Sequence, residues 1–403
     1  MRVSATNPLH LTYCTNVHAG TSWQEMTDSL KQYVPALKAQ LSPDAPFGIG
    51  PRVAGEASRE LLEDDALARF QAFLTEHDLY VYTINGFPYG PFHGQAVKDN
   101  VHAPDWRNPE RVAYTHRLTD ILAALLPEGM DGGISTSPLT YRPWVEPVDD
   151  AMWEHFVRQL VDVTTHMREV HERTGKLIHL DLEPEPDGLL GACADLITFY
   201  DTWLLPRGTE LLAERLSVQD DEAREILLAH MQVCFDTCHV AVGYESPADV
   251  LQAFDERGIR VGKVQVSSAL RADIPVDPQA RERLVVGLQA FDEPVYLHQV
   301  VQRNVDDTLT HYPDLGLALE HGLDNSAQEW RIHFHVPIFI EHYAASSSTQ
   351  QAIRETFAVL AERRFTNHLE IETYTWDVLP GELKEDLLTS IKREYEWVLE
   401  TIS

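Results

Sequence analysis

Leu177-Ile178-His179-Leu180-Asp181-Leu182-Glu183-Pro184-Glu185-Pro186 carries the pattern of a buried strand with acids at its end. It is a short strand-like run that stops at Pro184, because proline cannot donate to a sheet ladder. It ends in two carboxylates separated by one residue, with Glu183 the more inward if the alternation holds. Working outward, eight further runs are strand-like: Leu11–Val17, Phe47–Val53, Tyr80–Ile84, Gly132–Thr136, Val233–Asp236, Arg260–Val266, Arg331–Val336 and Leu369–Thr373. Helical stretches lie between them. Ala151–Arg173 sets Trp153, Phe156, Leu160, Val163, Met167 and Val170 on one apolar face. Ser246-Pro247-Ala248-Asp249 reads as a helix start, and Thr349–Arg363 and Glu382–Thr401 are amphipathic. Strand–helix alternation along the whole chain implies parallel strands with crossover helices.

Eight or nine such units fit an α/β fold of the (β/α)8 TIM barrel kind, one domain over residues 1–403. Gly94–Arg111, Leu204–His230 and Ala272–Asp324 read as loop insertions or a small lid. A doubly wound open sheet competes, but the turn after the first run, Asn16-Val17-His18-Ala19-Gly20, lacks a GxGxxG phosphate loop.

The 403 residues include 32 Lys+Arg against 63 Asp+Glu, a net charge of −31, so binding of nucleic acid or an anionic membrane is not expected. The start of the chain, Met1 to Pro8, lacks an apolar signal region, and no stretch approaches the length of a bilayer span. Four cysteines without a CxxC pair are too few for a disulfide scaffold, and a reduced, cytoplasmic protein is the simplest expectation.

In a barrel the chemistry gathers at the C-terminal strand ends. Those ends carry Glu183 and Glu185, then Asp236 with His239 three residues on, then Gln265, His333 and His335, and last Glu370 and Glu372. Each signal has a plain structural reading: solvated acids, hydrogen-bonded core histidines, packing cysteines at 234 and 238. Together they suggest a cation, because inward carboxylates from different strands repel unless something positive holds them. Carboxylates plus an amide suit Mn²⁺, Mg²⁺ or Co²⁺ better than a structural zinc.

This order of residues resembles the xylose isomerase-like TIM-barrel superfamily of sugar isomerases, epimerases and apurinic endonucleases. Glu183-Pro184-Glu185-Pro186 is similar to the Glu-Pro-x-Pro strand end of xylose isomerase, and Asp236-Thr237-Cys238-His239 to the Asp-Thr-x-His signature of ketose 3-epimerases and apurinic endonucleases. Gln265 and Arg271 hold the spacing of the epimerases' metal-binding His and substrate-binding Arg, with Gln in the ligand place as in hydroxypyruvate isomerases. The resemblance covers roughly residues 8–378. It implies one divalent metal (Mn²⁺, Mg²⁺, Co²⁺ or Zn²⁺) on Glu183, Asp236, Gln265 and Glu372. Glu183 and Glu372 would move protons, and His239 and Arg271 would orient substrate oxygens. Thr15-Asn16-Val17-His18 and His333-Phe334-His335-Val336-Pro337 are further similar to the EboE family of metabolite-traffic proteins. His18 is a further candidate substrate contact, and His333 and His335, two positions apart on one strand face, are candidate additional metal or substrate ligands. The extra zinc ligands of apurinic endonucleases have no clear counterpart on the early strands; His93 lies in a Gly/Pro-rich loop.

The expected function is a divalent-metal isomerase or epimerase acting on a sugar, sugar phosphate or hydroxy-ketoacid, with pathway proteins as further partners. The alternative is a metabolite-binding or carrier component without turnover. A zinc phosphodiesterase is the third reading.

Overall fold

The computed structural model describes residues 1–4, 7–323 and 325–402. Ala5, Thr6, Ser403 and Asp324, the end of the third expected insertion, lie outside the described residues. Eight of the nine strand-like runs form one parallel ring. Its strands are β1 (His10–Tyr13), β2 (Phe47–Ile49), β3 (Leu79–Val81) continued by β4 (Thr83–Asn85), β5 (Gly132–Thr136), β6 (Ile178–Leu182), β7 (Met231–Asp236), β8 (Val261–Val266) and, after a long excursion, β15 (His368–Ile371). Strands β4 to β8 pair in order, β8 pairs with β15 and β15 with β1. β2 pairs with β3, and the bridges Cys14–Gly50 and Arg52–Asn85 tie that pair to β1 and β4. The sheet therefore closes on itself: the fold is a (β/α)8 barrel, not a doubly wound open sheet.

The long helix Asp150–Thr174 shows why the flanking helices form where they do. Asp149 caps it by accepting from Met152 N, Gly175 ends it at φ 72°, and Phe156, Leu160, Val163, Met167 and Val170 are all buried. Ser246 caps the helix Pro247–Arg257 as expected. The last helix starts at Leu387 rather than Glu382, because Asp386 takes the cap by accepting from Thr389 N.

The ninth run is different. Ala327–Ile332 belongs to a second, antiparallel sheet, and the chain from His333 to Pro337 has left the strand. That sheet comprises β9 (Leu270–Asp273), β10 (Val300–Asn304), β11 (Leu309–Tyr312), β12 (Ala327–Ile332), β13 (His342–Tyr343) and β14 (Ser346–Ser348), in the order β11-β10-β12-β9-β14-β13. Segment 272–324 contributes β10 and β11 to it and also carries the helices Pro278–Gln289 and Leu315–His321. Segment 204–230 is mainly helical, with Thr209–Leu216 and Asp220–His230 leading into β7. Residues 97–98 bond to Val295 O, so segments 94–111 and 272–324 meet, and Phe92, Val97 and Tyr296 pack together there.

The barrel interior carries a polar layer. Lys263 and Glu370, both fully buried, form an ion pair at its centre. Gly50 makes the room, since a Cβ there would fall 1.8 Å from Glu370 Oε1.

Candidate metal centre

Glu183, Asp236, Gln265 and Glu372 converge at the C-terminal mouth. Gln265 Nε2 lies 2.8 Å from Glu183 Oε1, 3.0 Å from Asp236 Oδ2 and 2.8 Å from Glu372 Oε2. All four side chains are buried. Each is aimed by its neighbours. Asp236 ends β7 and caps the helix Thr237–Val242: its Oδ1 accepts from Cys238 N at 2.7 Å, His239 N at 3.1 Å and Ser267 Oγ at 2.6 Å. That leaves Oδ2 for the centre. Glu372 is held by two amides, with Asn16 Nδ2 at 2.8 Å and Asn85 Nδ2 at 3.0 Å from its Oε1.

This arrangement is short of positive charge. A carboxamide has two N–H protons, and here three carboxylate oxygens crowd one nitrogen. Gln265 Oε1 and Glu183 Oε2 are buried without a hydrogen-bond partner. Burial, with Asp236 beside it, lifts the Glu183 carboxyl well above the usual range, and burial with Glu183 and Asp236 does the same to Glu372. Asp236 stays low against its own burial through His239, His335 and its hydrogen bonds from Ser267 and Gln265. The donor set fits a divalent cation: oxygens of the three carboxylates lie within 4.8 Å of one another, and the carboxamide can turn to offer Oε1 as a fourth ligand.

Three histidines adjoin it. His239 Nδ1 donates to Pro184 O (2.9 Å), His333 Nδ1 to Gln299 Oε1 (2.8 Å) and His335 Nδ1 to Glu372 O (2.8 Å). Gln299 is itself oriented by donating to Pro186 O. These acceptors place each ring's proton on Nδ1 and leave Nε2 as a bare lone pair. Yet His333 Nε2 stands 3.1 Å from His239 Nε2 and 3.3 Å from His335 Nε2. Facing lone pairs repel, whereas two ligands each about 2.05 Å from a tetrahedral zinc sit about 3.3 Å apart. Burial also lowers all three imidazole pKa values, that of His335 to about 4. Asp236 lies within ligand reach of His239 and His335 as well as of Glu183 and Glu372.

The cavity above is about 50 Å³, lined among others by Asn16, Glu185, His102, Tyr296 and Tyr374. Two residues expected here are elsewhere. Arg271 sits on β9 in the second sheet, paired with Asp273 and Glu329, because the chain turns out of the barrel directly after β8. His18 bonds to Tyr13 Oη and stacks on Tyr33, outside the cavity lining. Arg271→Ala is accordingly expected to leave metal affinity within about twofold of wild type by titration calorimetry. Sequence reasoning missed Asn16, Asn85, Glu185 and Gln299 as parts of the site. Glu185 read only as the outer of the strand end's two carboxylates, yet it is 7% exposed with Oε2 unpartnered. The proline on either side was the available signal.

No family model matches the chain, and no curated protein does. Among solved structures the chain is similar to the IolI protein with a bound zinc atom (11% identity, 98% of each chain, TM-score 0.46). It is similar also to AsbF from Bacillus anthracis, a probable 3-DHS dehydratase involved in petrobactin synthesis (10%, 97% of this chain and 98% of that one, 0.46). A third is a xylose isomerase domain protein from Alicyclobacillus acidocaldarius subsp. acidocaldarius (11%, 60% and 68%, 0.34). At these values the likeness carries nothing about chemistry. The chain itself is an α/β protein whose closed (β/α)8 barrel gathers three carboxylates, an amide and three histidines at its C-terminal mouth.

Proposed function

We propose that the protein is a divalent-metal enzyme that moves a proton on a small polyhydroxylated or 2-hydroxycarbonyl metabolite, as an isomerase or epimerase. The observation that carries this reading is the meeting of Glu183, Asp236, Gln265 and Glu372, from four barrel strand ends, around one electron-rich point. A cation bound there supplies Lewis acidity toward adjacent substrate oxygens. The protein's own groups do the rest. Glu183, with Oε2 unpartnered, and Glu372, clamped by Asn16 and Asn85, are the proton-moving carboxylates. His239 and the aromatic roof of Tyr296 and Tyr374 orient the substrate and exclude water. A neutral polyol suits the cavity better than a phosphate, because Lys98, the one lysine or arginine among its described lining residues, is already paired with Asp314 at 2.6 Å.

The histidine trio supports a second metal position beside the first, with Asp236 as the shared ligand. His333→Ala with His335→Ala is expected to lower bound metal by one equivalent by elemental analysis. An unchanged count sinks the second position. Two adjacent cations are also a hydrolytic device, which favours, as second reading, hydrolysis of a small ester.

The sequence resemblance to the EboE family supports setting the reaction, in this proposal, within metabolite traffic. The test is hydrogen–deuterium exchange at carbon. Metal-loaded protein is screened against sugars, sugar phosphates and hydroxy-ketoacids in deuterium oxide. Exchange that chelation abolishes supports the enzyme. Binding of a metabolite without exchange in any class supports the carrier reading instead.

A further inference from the structure

At the opposite, N-terminal end of the barrel, three more ligand-type side chains face one another. Asp131 immediately precedes β5, His179 lies on β6 and His368 opens β15. His179 Nε2 stands 3.7 Å from Asp131 Oδ2, and His368 Nε2 stands 3.5 Å from Asp131 Oδ1. Both gaps exceed the about 2.7–2.9 Å of a charge-assisted hydrogen bond. Both approach the about 3.3 Å between two ligands of one tetrahedral zinc.

Two features show that His179 is built for this geometry. It is fully buried, and its Nε2 has no hydrogen-bond partner. Its Nδ1 lies 2.6 Å from Asp181 Oδ1, which fixes the proton there and turns the Nε2 lone pair toward Asp131. A carboxylate behind the imidazole is the usual support of a metal-bound histidine. Asp181 in turn fits only because two neighbouring positions lack side chains. A Cβ on Gly133 or Gly262 would fall 2.2 or 2.0 Å from its carboxylate oxygens. Asp131 is about half exposed and borders a surface cleft, so an ion has a way in and water can complete the shell.

We propose that His179, His368 and Asp131 form a divalent-cation site at the barrel's N-terminal end, independent of the mouth and suited to Zn²⁺ or Co²⁺. Two imidazoles, one carboxylate and a water make a four-coordinate set for a borderline ion. The ligands come from β5, β6 and β15, and β15 lies three places from β6 around the ring. The bound ion would therefore tie the barrel across its base, a structural role separate from the chemistry at the mouth. The rival occupant is a proton. Burial disfavours charge on His179, but Asp181 and Asp131 outweigh it and raise its pKa to about 9.

The test is Co²⁺ binding by the full chain at neutral pH, with stoichiometry by elemental analysis and visible absorption for tetrahedral coordination. Wild type is compared with Asp131→Asn and His368→Gln. Asp131→Asn alters a half-exposed side chain and is the variant expected to keep the fold, checked by circular dichroism. The expected result is one equivalent fewer, or at least about tenfold weaker binding of that equivalent, in both variants. Metal at the mouth is retained in each. Identical count and affinity in wild type and folded Asp131→Asn overturns the proposal. If the mouth binds nothing, wild type and variants still differ by this one equivalent, so the two ideas fail separately.

Discussion

Glu372→Gln is expected to slow proton exchange at the substrate carbon by about 10²–10⁴-fold at saturating metal, which is about 3–5 kcal/mol of barrier. The fold should survive. Gln keeps an oxygen to accept from Asn16 and Asn85, which now reach Glu372 Oε1 at 2.8 and 3.0 Å. What it loses is the ability to take a proton at neutral pH. It also removes one negative charge from the cation's surroundings, so metal affinity falls as well, and rates must be compared at saturation. Substrate-analogue binding should change much less than rate. Exchange that survives the substitution would move the base to Glu183 or His239.

The largest stability effect is expected from Lys263→Met. Lys263 is fully buried and ion-paired with Glu370, which is equally buried. Burial already lifts the Glu370 carboxyl above its usual range, and Lys263 is the group that pulls it back. Removing the lysine strands an acid in the barrel core. Breaking a buried pair on one side costs about 3–5 kcal/mol, whereas replacing both partners is often close to neutral. Urea unfolding should therefore show a large loss for Lys263→Met and substantial recovery in Lys263→Met/Glu370→Gln. Equal losses in the single and double variants would mean that packing, not charge, dominates this layer.

The barrel was legible because its strands end abruptly. Pro184 after Glu183 and the alternation of strand-like and helical runs leave marks that need no tertiary context. The four residues expected around the metal do come together, since each stands at the end of a barrel strand and the ring brings those ends to one place. What failed is what depends on where the chain goes between strands. Arg271 follows Gln265 at the expected spacing, yet β9 peels into a second sheet and carries it away. His333 and His335 alternate as a strand would, but their convergence with His239 arises in an extended segment that has left β12. Asn16 and Asn85 could not be singled out, because a neutral amide acquires its role only from the carboxylate it meets.

Anomalous diffraction from crystals of the protein grown with Mn²⁺ tests the metal centre directly. The expected result is an anomalous peak bounded by Glu183, Asp236, Gln265 and Glu372, with ligand oxygens about 2.0–2.3 Å away. Gln265 should be turned so that Oε1 faces the ion. No peak there at saturating metal, with the Gln265 amide nitrogen still bonded to the three carboxylates, would contradict it.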